Sequence, residues 1–254
     1  MVKSKIKKAW VVSVDMGYGH QRTAYPLRDL AFEKKVINAN SYSGISKKDR
    51  NIWVGTRTFY EFVSNFKRIP IIGDFIFSLF DKFQRIKNFY PKRKYSHPTF
   101  SVKKVFGIIR NGWGEDLILK IREKSLALSK KSSPKSIPFI TTFFTPAFMA
   151  EEFYYPGDIY CVVCDADVSR AWVSFNPQKS RIKYFAPNDW VQNRLKLYGV
   201  KKENIFLTGY PLPLENIGDE KMEIAKEDLR NRILNLDINK EYRTQYDSLI
   251  KRYI

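Results

Sequence analysis

Cysteine is scarce in this sequence of 254 residues, where Cys161 and Cys164 are the only two. Two cysteines do not make the disulfide framework that stabilises small secreted proteins, so a reduced, cytoplasmic setting is expected. Histidine is as rare, with His20 and His97 alone. No group of His, Cys and carboxylate side chains with metal-ligand spacing stands out, so the sequence predicts no metal site.

Long apolar runs are also missing, and no run reaches the roughly 18 residues that a membrane-spanning helix needs. Residues 1–8 are basic, but the apolar run behind them covers only 9–14, which is too short for a signal peptide. Any contact with a membrane is therefore expected from its surface, as a peripheral protein on the inner face of the membrane.

Acidic residues are few beside the basic ones, with 26 Asp and Glu against 45 Lys and Arg, and the net charge is +19. Such a charge indicates partners rather than a fold, and the candidates are nucleic acid, an anionic membrane surface and phosphorylated ligands. Hydrophobic residues make up 44% of the chain, which suffices for a folded core at this length.

Short apolar runs alternate with segments of helical periodicity, and this alternation predicts a Rossmann-like α/β fold, a parallel sheet with helices on both faces. We expect such a domain over residues 1–213 and a charged, helical segment without strands over 214–254. The predicted strands are 9–14, 36–40, 137–144, 159–164, 183–186 and 204–208, and the predicted helices are 21–35, 51–66, 117–131, 147–153, 189–198, 224–234 and 242–253.

A glycine turn, Gly17-Tyr18-Gly19-His20, separates the first predicted strand from the first helix. Glycines let backbone N–H groups approach an anion, although the pattern is neither GxGxxG nor a Walker motif, and a tight structural turn is the alternative. The positive end of the helix would lower the pKa of His20, and a neutral imidazole there is suited to accept a proton from a hydroxyl. Otherwise His20 only caps the turn. His97 lies in a basic loop and is expected to be exposed.

Residues 67–104 combine aromatic and basic side chains, with ten Lys and Arg and only two acids. Amphipathic segments of this composition lie in a membrane interface, where each basic residue near anionic lipid contributes roughly 1 kcal/mol. A core helix followed by a solvated basic loop is the alternative. No nucleic-acid-binding motif is present, so nucleic acid is not the expected partner. The predicted membrane-contact residues are Phe75, Phe80, Lys82, Phe83, Arg85, Lys92, Arg93 and Lys94.

Cys161 and Cys164 form a CxxC pair inside the apolar run 159–164. Residues three apart in a strand point to opposite faces, and no second Cys or His pair completes a zinc site. Both cysteines are therefore predicted to be core residues.

The segment directly after that run is a candidate binding site, because ligands in open α/β sheets bind at the carboxyl ends of strands. Asp165, Asp167, Arg170 and Trp172 are predicted to hold the polyol groups of a sugar or lipid headgroup. The alternative is structural, with either aspartate as a helix N-cap and with Arg170 and Trp172 packed over the sheet.

In this order, these residues resemble the two-domain lipid glycosyltransferases: monogalactosyldiacylglycerol synthases, bacterial diacylglycerol glucosyltransferases and, more distantly, the peptidoglycan N-acetylglucosaminyltransferase. The resemblance spans roughly residues 9–213, with Thr145-Pro146 where the family usually has His-Pro. Four blocks carry it: Gly17–His20 after the first strand, Asp165–Trp172, Tyr184-Phe-Ala-Pro-Asn with the helix up to Gly199, and Thr208-Gly209-Tyr-Pro211.

The resemblance implies the N-terminal, acceptor-binding half of a GT-B-type glycosyltransferase. It implies that His20 is the general base on a lipid or lipid-linked hydroxyl, that Gly17, Tyr18 and Gly19 face the donor diphosphate, and that 67–104 contacts the bilayer. The co-substrate would be a UDP-linked nucleotide-sugar, with no other cofactor. Because this architecture binds the nucleotide-sugar mainly through a second Rossmann-like domain, we expect the donor domain to be absent or separate and the chain to be inactive alone.

Two other functions stay open at this point. One is a non-catalytic basic domain that binds membrane or nucleic acid. The other is a different Rossmann enzyme that binds a nucleotide at the Gly17–His20 turn.

Overall fold

Six short strands form one sheet in which every neighbouring pair is parallel. The computed structural model describes residues 8–66, 95–132 and 137–253. The strands are β1 (Trp10–Ser13), β2 (Ile37–Asn38), β3 (Phe139–Thr141), β4 (Ile159–Val162), β5 (Ile182–Ala186) and β6 (Ile205–Leu207). They lie in the order β2-β1-β3-β4-β5-β6. The predicted Rossmann-like parallel α/β fold is confirmed, and each predicted strand overlaps an observed one.

A crossover joins each pair of successive strands, as parallel neighbours require. Each crossover contains an α-helix except the one between β4 and β5, which holds only a 3₁₀ turn. Short 3₁₀ turns lie at Tyr25–Asp29, Phe32–Lys34, Arg170–Trp172, Lys202–Asn204 and Leu214–Asn216. The helices of the described residues are α1 (Tyr18–Ala24), α2 (Lys47–Phe66), α3 (Phe100–Arg110), α4 (Glu115–Ser132), α5 (Phe144–Glu152), α6 (Asp189–Leu197), α7 (Glu223–Leu236), α8 (Glu241–Gln245) and α9 (Asp247–Tyr253).

The core lies on both faces of the sheet. Val12 and Phe139 belong to one large apolar cluster, to which α2, α3, α4, α5 and α6 all contribute buried residues. Val11 packs on the opposite face against Ala24 and Ala31. Both faces of β1 are thus covered, which is why successive residues of this strand are apolar rather than alternating with polar ones. Burial of each valine side chain contributes about 1.5–3 kcal/mol.

The first helix differs from its prediction over 21–35. It begins earlier, at Tyr18, and ends at Ala24, and the chain continues as the 3₁₀ turn Tyr25–Asp29. Pro26 has no N–H, and its ring crowds the carbonyl four residues back, so it ends the helix instead of lying inside it. The chain reaches β2 through a second 3₁₀ turn, Phe32–Lys34.

Helix α3 was not predicted from the sequence, because its first residues lie within the basic and aromatic segment 67–104. Thr99 caps it, with its Oγ1 accepting from the N–H of Val102 at 3.4 Å. Val102, Phe106 and Ile109 follow at helical spacing and are buried in the large cluster. The end of the segment is therefore part of the core.

The chain divides into two compact units, Met1–Tyr210 and Pro211–Ile254. The second contains α7, α8 and α9, so the helix predicted over 242–253 is divided at Tyr246. The carboxylate of Asp237 accepts from the N–H groups of Tyr242 and Arg243 at 3.0 and 2.9 Å and thereby caps α8. Residues of these helices line an open cavity of about 620 Å³, and most of the lining side chains are Leu, Ile and Tyr.

Candidate functional site

The strand order creates a switch point beside β1. The chain passes from β1 to β2 on one side, and β3 pairs with β1 on the other. Open parallel sheets bind ligands in the crevice at the carboxyl ends of the strands where the order reverses. The glycine turn follows β1, Thr142 follows β3, and Cys164 and Asp165 follow β4, so these residues lie at this crevice.

The glycine turn has the open geometry that an approaching ligand needs. Gly17 has φ +121° and precedes α1, and a Cβ added at Gly17 or Gly19 would meet nothing within 4 Å. Asp15 fixes the start of the turn: its Oδ1 accepts from Gln21 at 3.0 Å, and its Oδ2 pairs with Arg57 at 2.9 Å. Tyr18 stands in this turn with 74% of its surface exposed.

The imidazole of His20 is held by the loop after β3. Its Nδ1 lies 3.0 Å from the carbonyl oxygen of Thr142, and the Thr142 hydroxyl donates to the His20 carbonyl at 2.9 Å. Because a carbonyl only accepts, Nδ1 carries the hydrogen in the neutral ring, and Nε2 keeps its lone pair. Among the described residues, none hydrogen-bonds to Nε2.

Aromatic side chains surround the same ring. The ring centroid of His20 lies 4.7 Å from that of Phe143 and 6.3 Å from that of Trp172, and Phe144 packs against Trp172 at 5.3 Å. Burial lowers the pKa of His20, while the hydrogen bond to Thr142 and the charge of Asp165 oppose this shift. The predicted direction is confirmed, but its main cause is desolvation rather than the helix N-terminus.

Cys164 corrects the prediction that both cysteines are core residues. Cys161 is buried, as expected, but β4 ends at Val162, so Cys164 lies beyond the strand and reaches the site. Its Sγ is 3.0 Å from Nδ1 of His20. Burial, with the charge of Asp165, raises the pKa of Cys164 to about 12. The group is therefore a neutral thiol at physiological pH and a poor nucleophile.

Asp165 lies at the site. Its Oδ1 is 3.9 Å from the Cys164 sulfur, and its charge acts on both His20 and Cys164. Partial burial raises the pKa of the Asp165 carboxyl, and His20 and Trp172 oppose the shift. Trp172 itself is buried and forms a wall of the site.

Asp167 forms an ion pair with another residue of the fold. Its carboxylate is bound by Arg194 in a bidentate pair, with Nε–Oδ1 at 3.0 Å and Nη2–Oδ2 at 3.1 Å. Neither Asp165 nor Asp167 caps the following 3₁₀ turn, because Ser169 does so.

Arg170 is buried, and its guanidinium is engaged in hydrogen bonds to backbone carbonyl oxygens. It donates to the carbonyl oxygens of Ser96, Val173, Ser174 and Phe175, with the bond to Ser96 at 2.9 Å. Burial lowers its pKa to about 10. Of the four residues predicted after β4, the structure thus brings Asp165 and Trp172 to His20, while it engages Asp167 and Arg170 within the fold.

Two further residues at this edge were missed from the sequence. Asn188 follows β5 and caps α6, with its Oδ1 accepting from Val191 at 2.8 Å. Tyr210 follows β6, and burial together with the charge of Asp165 raises the pKa of its hydroxyl. Each lies just beyond the end of a parallel strand. The same position relative to a strand is the basis on which Asp165 is predicted as a site residue.

The predicted membrane-contact residues Phe75, Phe80, Lys82, Phe83, Arg85, Lys92, Arg93 and Lys94 lie outside the described residues. His97 is exposed, as predicted.

Within residues 8–66, 95–132 and 137–253, no helix is long and apolar enough to cross a membrane. No three His, Cys, Asp or Glu side chains of this same part of the chain are grouped so that they could hold a metal ion.

Comparison with protein families, with curated proteins and with solved structures found no match to this chain.

Proposed function

We propose that this protein is the acceptor-binding unit of a glycosyltransferase that moves a sugar from a nucleotide-sugar to a lipid or lipid-linked hydroxyl at a membrane surface, with His20 as the general base. The observation that carries the proposal is the state of His20 at the switch point. Its ring is neutral, its Nδ1–H is held by Thr142, and its Nε2 is available to accept a proton.

In this reaction the acceptor hydroxyl donates a hydrogen bond to Nε2 of His20. As the oxygen attacks the anomeric carbon of the nucleotide-sugar, its proton passes to Nε2, a C–O bond forms, and the nucleoside diphosphate leaves with the electron pair of the broken bond. The imidazolium that results is stabilised by the Thr142 carbonyl and by the charge of Asp165, both of which raise the pKa of His20. The walls formed by Phe143 and Trp172 suit an acceptor with an apolar tail.

The presence of only two histidines allows a direct binding test. Protein labelled with ¹⁵N-histidine is titrated with dioctanoylglycerol, and the ring nitrogens are followed by NMR. We expect the Nε2 resonance of His20 to shift while those of His97, which is exposed and serves as the matched control, stay in place. A His97→Gln variant assigns the signals. Equal responses of both histidines, or none, would contradict the proposed acceptor site.

Transfer requires a donor-binding domain, so catalysis is tested with this chain and such a domain together, as incorporation of sugar from radiolabelled UDP-sugars into organic-extractable lipid. We expect His20→Ala to lower incorporation by about 10²–10⁴-fold, and His97→Ala to leave it unchanged. Incorporation by the His20→Ala protein at the wild-type rate would exclude His20 as the base.

A non-catalytic basic binding domain is the second candidate, and the position of the charge favours it. Residues 211–254 hold 8 Lys and Arg against 9 Asp and Glu, so residues 1–210 hold 37 against 17 and carry all of the positive net charge. A surface of this charge binds anionic membranes without chemistry. Two results together would favour this function. His20→Ala would float with vesicles that contain anionic lipid to the wild-type extent and with the wild-type salt dependence, and the wild type would incorporate no sugar even with a donor-binding domain present.

A further inference from the structure

The helical unit Pro211–Ile254 has an apolar groove but no buried core. Within residues 211–253, all of which the structure describes, no residue is buried, so the apolar side chains of α7, α8 and α9 are all at least partly exposed. Ordering such a unit costs conformational entropy that buried apolar surface has to offset, and units of this size commonly obtain that surface by association. A further surface is therefore needed to cover the groove.

The groove is the open cavity of about 620 Å³ between these helices. One side is formed by Leu229, Ile233 and Leu236 of α7, whose spacing of four and three residues is that of a helix–helix seam. Cavities of this volume with mostly apolar and aromatic linings are typical binding sites. The other apolar lining residues are Tyr242, Tyr246, Leu249, Ile250 and Tyr253.

The charged side chains of the groove are already paired inside the unit. Arg232 Nε lies 2.8 Å from Asp228 Oδ2, and Arg243 Nε lies 3.1 Å from Asp237 Oδ2. The unit as a whole holds 8 Lys and Arg against 9 Asp and Glu, so it has almost no net charge. An anionic lipid or a nucleic acid gains little from such a surface, whereas near-neutral protein surfaces associate with one another.

A projection that can fill the groove lies in the same unit. Ile238 comes just after Leu236 at the end of α7, and 82% of its surface is exposed. Asp237, between the two, accepts from the N–H groups of Tyr242 and Arg243 and so fixes the turn that carries Ile238. Because the projection and the groove are neighbours on one surface, a two-fold axis can place each projection in the groove of the other copy.

We propose that two copies of this chain associate through Pro211–Ile254, with Ile238 of each copy packed in the groove of the other. Residues 1–210 hold 37 Lys and Arg against 17 Asp and Glu, so this part of two copies repels, and only the near-neutral unit is suited to join them. Salt screens the repulsion and leaves the apolar contact, so association strengthens with salt. The interface is independent of the proposed function, since none of its residues belongs to the site around His20.

Sedimentation velocity of the whole protein over a range of concentrations tests the association. We expect an equilibrium between monomer and dimer with a Kd of about 10 µM or lower. This Kd should fall severalfold between about 50 mM and about 500 mM sodium chloride. A monomer at every concentration up to about 100 µM in both salts, or aggregates without a defined dimer, would overturn the proposal.

Leu236 and Leu214 provide a matched pair of substitutions in the same unit. Both are highly exposed, at 83% and 76%, but only Leu236 lines the groove. Leu236→Asp should raise the Kd of the dimer at least about tenfold, while Leu214→Asp, with the same change of charge, should alter it less than about twofold. Equal effects of the two substitutions would place the interface elsewhere and exclude this one.

Mixing two variants tests the reciprocal packing. Ile238→Asp removes the projection and keeps the groove, and Leu249→Asp does the reverse, so each variant should be largely monomeric alone. Their mixture should form a heterodimer, because one projection and its groove are then intact. No heterodimer in the mixture would contradict the proposal. A monomeric wild type that floats with uncharged phosphatidylcholine vesicles, and loses flotation in Leu236→Asp, would assign the groove to lipid and overturn it as well. The wild-type measurement needs no variant, so a misfolded variant does not leave the proposal undecided.

Discussion

His20 and Thr142 bind each other through two hydrogen bonds, although 122 residues separate them in the chain. The Nδ1–H of His20 donates to the Thr142 carbonyl, and the Thr142 hydroxyl donates to the His20 carbonyl. Thr142 is fully buried, and its hydroxyl also lies 3.2 Å from the Ser13 hydroxyl. This pair joins the loop after β1 to the loop after β3 and fixes both the tautomer and the orientation of the imidazole.

Replacing Thr142 with Val removes the hydroxyl but keeps the shape of the side chain. The His20 carbonyl and the Ser13 hydroxyl then lose a partner in a buried place, and we expect the free energy of unfolding to fall by about 1–3 kcal/mol. Denaturation by guanidinium chloride measures the change. Thr56→Val is the control: the Thr56 hydroxyl bonds within α2 at an exposed position, and its loss should cost less than about 0.5 kcal/mol. Equal effects at both sites would contradict the role given to Thr142.

Acid should destabilise the protein through His20. Its folded-state pKa lies below the ordinary value of about 6.5, so the folded protein takes up this proton less readily than the unfolded chain. The free energy of unfolding is then unaffected by His20 above pH 6.5 or so and falls as the pH drops from there to the lower folded-state pKa. In His20→Gln this part of the acid sensitivity should disappear. Unfolding of both proteins at pH 7.5 and pH 5 measures the difference, and identical pH dependence would contradict it.

Cys164 should react slowly with thiol reagents despite its position at the crevice. Its pKa of about 12 leaves very little thiolate near neutral pH. Because the charge of Asp165 contributes to that pKa, Asp165→Asn should speed alkylation by iodoacetamide, measured by mass spectrometry against a free thiol in solution. Cys161 is fully buried and should stay unmodified in the folded protein. Rapid alkylation of wild-type Cys164 would show that the thiol is activated rather than suppressed.

Arg170 should be essential for stability even when its charge is kept. Lysine cannot reach the carbonyl oxygens of Ser96, Val173, Ser174 and Phe175 together, so Arg170→Lys leaves buried acceptors unpaired. We expect a loss of about 3 kcal/mol or more in the free energy of unfolding. Arg110→Lys is the matched control, because Arg110 pairs with Glu152 at the surface and its replacement should cost less than about 1 kcal/mol. A loss at Arg170 as small as that at Arg110 would contradict the structural role.

Part of the site could be found from the sequence because topology constrains it. In a parallel sheet the residues after each strand meet at one edge, so recognising the strands sufficed to nominate His20 and Asp165. The same rule, applied to the strand that ends at Val162, would also have found Cys164. The sequence does not show that end, because Val163 and Cys164 are as apolar as the strand residues before them, so Cys164 is predicted to lie inside the strand.

The chain's own residues determined the parallel α/β fold, since runs such as 9–14 and 159–164 are apolar enough to be buried on both faces. They also placed a histidine after the first strand. Only the tertiary structure decided which side chains are available for a ligand. Arg170 and Asp167 carry the same charges as binding residues do, but the first is enclosed by carbonyls and the second by Arg194. Such partners come from distant segments, and a one-dimensional pattern holds no distances between them.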